Sequence, residues 1–200
     1  VRDDFLKENL LFFHFFCFSV GNPANPVHVK LIASLICQKE DTFSSVLKEM
    51  VSHFGSLDFV SATMPFDFTD YYTEEMGKTL WRRIVGFETL IHPETLSSIK
   101  LLTNTLEAAL SPDPKQRTVN IDPGYMNRYH LILATTKPAP HRPYLKDGIY
   151  ADLTLIYQEN SFKDLPWTYP DYGSEGIKAL LNELRQKYLF QLKSLRKGSS

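Results

Sequence analysis

Four segments carry side chains whose types and spacing suit chemistry. The first is "TTKPAPHRPY" (135–144), which puts Lys137, His141 and Arg142 within six residues on a chain stiffened by Pro138, Pro140 and Pro143. Arginine offers a planar donor fork, lysine a mobile ammonium, and histidine a proton near neutral pH. Together they suit a phosphate or a carboxylate. The plain alternative is a set of solvated charges on a rigid loop. The second segment, "PFDFTDYY" (65–72), spaces Asp67 and Asp70 three apart. Paired carboxylates can hold a divalent cation such as Mg²⁺ or act as acid and base. They can equally satisfy turn amides, with Tyr71 and Tyr72 as half-buried lids. The third, "NIDPGY" (120–125), brings Asp122 to a predicted strand end, where Pro-Gly lets backbone approach a bound group, and adds Tyr125. The fourth, "PWTYPDYG" (166–173), sets Tyr169 and Asp171 in an aromatic corner that either accepts hydrogen bonds from a ligand or only fixes the chain path. The candidate catalytic residues are therefore Asp67, Asp70, Asp122 and His141. The candidate ligand-binding residues are Lys137, Arg142, Tyr125, Tyr144, Tyr169 and Asp171.

Other chemistries are excluded by residue type. Gly77-Lys78-Thr79 has the tail of a phosphate-binding P-loop, but that loop needs glycine five positions earlier, where Tyr72 stands. A tyrosine resists the positive φ that lets amides wrap a phosphate, and a strand rather than a helix is predicted to follow. No G-x-S-x-G, H-E-x-x-H or G-x-G-x-x-G is present. His28, His53, His92 and His130 are scattered, without zinc spacing. Net charge is −1 from 22 basic and 23 acidic residues, so no overall field draws the chain to nucleic acid. Two cysteines give no disulfide framework, which makes a reducing cytoplasm the expectation.

These groups must be positioned by elements that the apolar pattern predicts. Residues 27–36 read as a central strand. Residues 43–54 carry Phe43, Val46, Leu47, Met50, Val51 and Phe54 at helical spacing, with Asp41 as N-cap and Gly55 as the stop. Strands are predicted at 57–66 and 80–91. Pro93 then opens a helix carrying Leu96, Ile99, Leu102, Leu106 and Leu110. A strand at 117–122 completes a β-α-β-β-α-β order, the ferredoxin-like plan. Residues 125–137 fit either a buried helix or a strand, and a helix there would aim free amides at an anion. A strand at 149–157 pairs with its neighbour through the Lys146-Asp147-Gly148 turn. An amphipathic helix capped by Ser174 ends the chain. The fold expected is α+β: a ferredoxin-like core extended by further strands and a C-terminal helix. Residues 27–196 form one α+β domain, and residues 1–26 are an N-terminal extension. Its apolar run "LLFFHFFCFSV" (10–20) is too short to span a membrane, which takes roughly 20 residues. It reads as a packed segment, as an extension foreign to the domain, or as a signal or anchor.

"FDFTDYYTEEMG", "RTVNIDPGY", "LATTK", "HRPYL", "GIYADLTLIY" and "TYPDY" resemble the domain-of-unknown-function family DUF4416, a group of uncharacterised prokaryotic proteins, over about residues 27 to 190. Some members carry the label "GTP-binding protein"; the resemblance implies no established activity. Two functions are open. One is binding or transformation of a phosphorylated or carboxylated small molecule, a nucleotide among them, without a P-loop. Lys137, His141 and Arg142 would hold the anion, Asp67, Asp70 and Asp122 would bind Mg²⁺ or move protons, and tyrosines would line the pocket. The other is a non-catalytic interaction module whose aromatic loops face a protein partner. Geometry separates them: loops gathered around a hollow favour the small ligand, and loops spread over a flat patch favour the partner.

Overall fold

The computed structural model describes residues 21–113 and 116–198. The apolar run at 10–20 lies outside the described residues. Strand β1 (Val29–Cys37) leads to helix α1 (Glu40–Phe54), then to β2 (Leu57–Val60) and β3 (Met64–Phe66). A one-turn helix, α2 (Thr73–Met76), precedes β4 (Leu80–Ile91), and α3 (Leu96–Leu110) follows it. Then come β5 (Val119–Met126), β6 (His130–Thr135), β7 (Tyr144–Lys146), β8 (Ile149–Gln158), β9 (Ser161–Asp164) and helix α4 (Glu175–Gly198).

Among the described residues all nine strands share one antiparallel sheet in the order β2-β4-β1-β5-β6-β8-β7, with β3 paired to β4 and β9 to β8. Every residue of β1 is buried because both faces of the sheet are covered. Alternate residues point to opposite faces. Leu31, Leu35 and Ile121 pack against Phe43, Val46 and Met50 of α1 and Ile99 and Leu106 of α3. On the other face, Ile32, Ile84, Met126 and Leu155 pack against Ile177, Leu181 and Leu184 of α4. Gly86 leaves room for α4: a Cβ there would lie 2.7 Å from Leu184 Cδ2. The buried Lys30 ammonium pairs with Asp58 and donates to Gln191 Oε1 of α4 at 3.0 Å, fastening the helix near its far end.

Several local expectations are corrected. The segment 57–66 is two short strands on β4, not one. Between them Ser61 substitutes for a ladder: its N–H donates to Ile84 O (2.9 Å) and its Oγ accepts from Ile84 N–H (3.0 Å). Asp41 sits in the first turn of α1 rather than at its N-cap, which is Lys39. Its charge still favours that helix end. Of the two alternatives left open for residues 125–137, the structure takes the strand, as a hairpin, so no helix N-terminus faces an anion there. The turn is set by Asn127, whose Oδ1 accepts from the N–H groups of Tyr129 and His130 at 2.8 and 2.9 Å. β7 and β8 do join through Asp147 and Gly148, both at positive φ (54° and 77°), as a two-residue hairpin needs. Ser174 Oγ accepts from Ile177 N–H at 3.4 Å at the start of α4. Among the described residues no helix is long and apolar enough to cross a membrane.

Candidate functional site

The site begins at a missing stretch of sheet. β5 pairs with β1 along its whole length, but β6 joins β5 only at residues 124–126. The backbone explains the gap. Pro123 has no N–H, and Ile121, two residues earlier, directs its polar groups to the same side. There α3 supplies the partners that a strand would give. Lys100 Nζ donates to Ile121 O at 2.9 Å, and Ile121 N–H donates to Glu107 Oε1 at 2.6 Å. Lys100 and Glu107 are seven residues apart, on the same buried stripe as Leu96, Ile99, Thr103 and Leu106. Burial pushes the Glu107 carboxyl up, against the opposing pull of Lys100.

The gap opens into a cleft of about 620 Å³. Its floor holds Asn120 and Asp122, which share the sheet face of Ile36 and Ser34, the face on which α4 packs further along. The loops at 67–72, 136–143 and 165–173 rise around it. Charged side chains are paired across it. Arg82 pairs with Asp171, both nearly fully buried, and the guanidinium lies 4.7 and 4.9 Å from the ring centres of Phe66 and Tyr172. Arg142 donates through Nε to Asp152 (2.8 Å), through Nη2 to Tyr169 OH (2.8 Å) and through Nη1 to Lys137 O (3.1 Å). Arg117 donates through Nη1 to Asn120 Oδ1 at 2.9 Å and to Glu107 at 3.3 Å, and its Nη2 lies 2.9 Å from Glu75. Lys100 meets Asp122 at 3.4 Å, and Asn120 Nδ2 donates to the other Asp122 oxygen at 2.6 Å. Burial works against the Arg117 charge, yet Glu107 and Glu75 outweigh it and raise its pKa. Burial also raises Tyr72, with Asp122 adding to it, and raises Tyr172, so both phenols keep their protons.

Lys137 differs from the other cations. It donates to Tyr71 OH at 2.7 Å and its ammonium stands 4.0 Å from that ring's centre. Among the described residues it is the cleft cation with no carboxylate in salt-bridge range.

Of the residues singled out by sequence, Asp122, Lys137, Arg142, Tyr169 and Asp171 line this cleft, although they come from three separate segments. The others lie outside its lining. Asp67 and Asp70 are exposed, and the Asp70 carbonyl accepts from Thr73 N–H at 3.0 Å where α2 begins. His141 stacks on Trp167 (centroids 5.0 Å, planes 13° apart), with Nε2 3.9 Å from Asp152. Tyr125 lines a second hollow of about 330 Å³ beside His130. Tyr144 is exposed on β7, edge-on to Tyr150. The Asp-Pro-Gly segment continues as strand, and Gly124 admits β6 rather than a ligand: a Cβ there would lie 2.7 Å from Leu133 Cδ2. Gly77 closes α2 at φ 81° and β4 follows, so the Gly-Lys-Thr triplet is a turn. Burial pushes the Cys37 thiol up to about 11, which leaves it a poor nucleophile. Among the described residues no three His, Cys, Asp or Glu side chains gather to hold a metal ion.

Sequence reasoning missed Arg82, Lys100, Glu107, Arg117, Asn120, Asp152 and Tyr172. A signal existed for three of them. Lys100 and Glu107 interrupt an apolar helical stripe, and Arg82 alternates inward with Leu80 and Ile84. A charge at a core position is either paired or wrongly placed.

The architecture and the cleft define a mixed α/β protein, with a nine-stranded antiparallel sheet opened locally to hold a network of buried charges. The chain belongs to the domain-of-unknown-function family DUF4416, whose sequence model matches residues 27–188. No curated protein and no solved structure matched it.

Proposed function

We propose that the cleft binds a small phosphorylated or carboxylated molecule, a nucleotide being one form it accommodates. The observation that carries this reading is Lys137: an ammonium at the cleft mouth, held by a phenol and not neutralised by a carboxylate. Arg142 lies beside it and is bound to Tyr169 and Asp152, so it supports the wall more than it offers free donors. Phe68, Tyr71 and Tyr169 are about half exposed at the rim and give a flat ring apolar faces to lie on. The hollow falls within the usual range of small-molecule sites, roughly 300–1,000 Å³. The gathering of three separate loops around it favours a small ligand over a protein partner. Strands β1, β2, β4 and β5 with helices α1 and α3 support a ferredoxin-like reading of the N-terminal part. The order β2-β4-β1-β5 is antiparallel throughout, and α1 and α3 share one face.

Thermal unfolding with a panel of nucleotides, phosphate esters and carboxylates, with and without Mg²⁺, tests the proposal. A ligand at about 100 times its Kd adds about 2.7 kcal/mol. For a domain of this size that raises Tm by about 5–10 °C. Lys137→Ala should abolish most of the rise. No rise across the panel, or a rise unchanged in Lys137→Ala/Arg142→Ala, overturns it.

A further inference from the structure

Opposite charges line the cleft in equal numbers: among the described residues, five cations and five carboxylates. Four of the cations are already held. Arg82 meets Asp171, Lys100 meets Asp122, Arg142 meets Asp152, and Arg117 meets both Glu107 and Glu75. These four cations therefore face five carboxylates. Burial pushes the Glu107 carboxyl up, yet a protonated Glu107 would leave the set neutral and not positive. The Glu75 and Asp122 side chains stay 47% and 30% exposed. A ligand carrying a second negative charge would meet those carboxylates and find no further open cation to match it.

The open cation, Lys137, does not stand alone. One of its N–H groups donates to Tyr71 OH at 2.7 Å, and its others are left over. The phenol accepts that bond and keeps its own O–H to donate. Two donors thus stand side by side, one hydrogen-bond length apart, on two exposed residues. Which anion fits the pair? A carboxylate does, with one charge and two oxygens, one for each donor. A phosphate monoester fits worse, because it carries about 1.5 to 2 negative charges and three acceptor oxygens. Arg142, the guanidinium beside Lys137, already donates through each of its three nitrogens. Phe68 and Tyr169, about half exposed at the same mouth, offer ring faces to the rest of the ligand.

We propose that the cleft selects a monocarboxylate carried on a planar ring, with the carboxylate bridging Lys137 and Tyr71 and the ring against Phe68 and Tyr169. This rests on the reading of Lys137 as the anion holder and narrows it to one charge and one class. Nucleoside di- and triphosphates fall outside that class.

The full chain is titrated calorimetrically, at one salt concentration, with benzoate, isophthalate, acetate, phenyl phosphate and ATP. Benzoate should bind most tightly. Isophthalate, the same ring with a second carboxylate, should bind about three- to tenfold more weakly. Glu75→Gln should narrow that gap about threefold by strengthening isophthalate, with benzoate changed by less than about twofold. Tyr71→Phe keeps the ring and removes one donor, so it should weaken benzoate about three- to tenfold. Lys137→Ala should weaken every probe. All three residues are exposed, so the variants should unfold as cooperatively as wild type. Isophthalate, phenyl phosphate or ATP bound as tightly as benzoate, benzoate bound no more tightly than acetate, an unchanged gap in Glu75→Gln, or unchanged benzoate binding in Tyr71→Phe each overturns the proposed class. Sensitivity to Lys137→Ala then leaves the anion reading standing. Absence of binding by all five probes, or binding indifferent to Lys137→Ala, overturns both.

Discussion

Lys100→Met tests the claim that side chains of α3 stand in for a missing strand. Methionine keeps the apolar stem of the side chain and removes only the ammonium. Two interactions are lost. The hydrogen bond from Lys100 Nζ to Ile121 O, 2.9 Å long and buried, is charge-assisted, and losing one of that kind costs about 1.5–3 kcal/mol. The contact with Asp122 is longer, at 3.4 Å. Asp122 is partly solvated and keeps its bond from Asn120, so this contact adds at most about 1 kcal/mol. The sum is about 2–4 kcal/mol, a fall in Tm of about 4–16 °C at roughly 2–4 °C per kcal/mol. Circular dichroism during thermal and urea unfolding measures it, with an unchanged urea slope confirming that the native surface is kept. Lys146→Met, at an exposed lysine, is the control and should move stability by about 0.5 kcal/mol or less. Combining Lys100→Met with Glu107→Gln should give a non-additive cost, because both residues hold the backbone of Ile121. A loss below about 1 kcal/mol in Lys100→Met would refute the account, since an unmatched carbonyl at that depth cannot be that cheap.

Glu107 makes stability depend on pH. Its folded-state pKa lies above the free value of 4.5, so its contribution is complete below that pH and is lost as pH rises through the raised value. Glu107→Gln should flatten the stability profile above 4.5, read as the difference in Tm between wild type and variant. A difference that stays constant from about pH 4 to pH 8 would sink the assignment. Gly124→Ala should destabilise by about 1–3 kcal/mol, since the new methyl meets the Ile132 carbonyl and the Leu133 side chain where backbone leaves little room to yield. Urea unfolding checks it, and a neutral result would mean that β6 can shift away from β5.

The sequence by itself determined what short-range physics controls. Helical spacing of apolar residues located α1 and the body of α3, with Gly55 at φ 85° ending α1. Alternation located β1, β4 and β8, and Asp147-Gly148 set a hairpin. Residue type also marked four segments for chemistry; three of them are the loops that the cleft gathers, and the fourth, 120–125, runs as strand along its floor. Where the pattern was ambiguous, tertiary structure decided. The apolar run after Asp122 could satisfy its backbone within a helix or across a sheet; Asn127 and the free edges of β5 and β8 made it a strand. Tertiary structure also chose among the candidate carboxylates. Asp67 and Asp70 share a loop but reach water, whereas Asp122 meets Lys100, Asn120 and Arg117's neighbourhood only because Pro123 breaks the ladder and α3 closes over the gap. Arg82 meets Asp171 and Lys100 meets Asp122, partners that lie far apart in the chain. A charge becomes affordable at a core position only when a partner from elsewhere arrives at hydrogen-bond distance, and that arrival is a property of the packed sheet rather than of any local stretch of sequence.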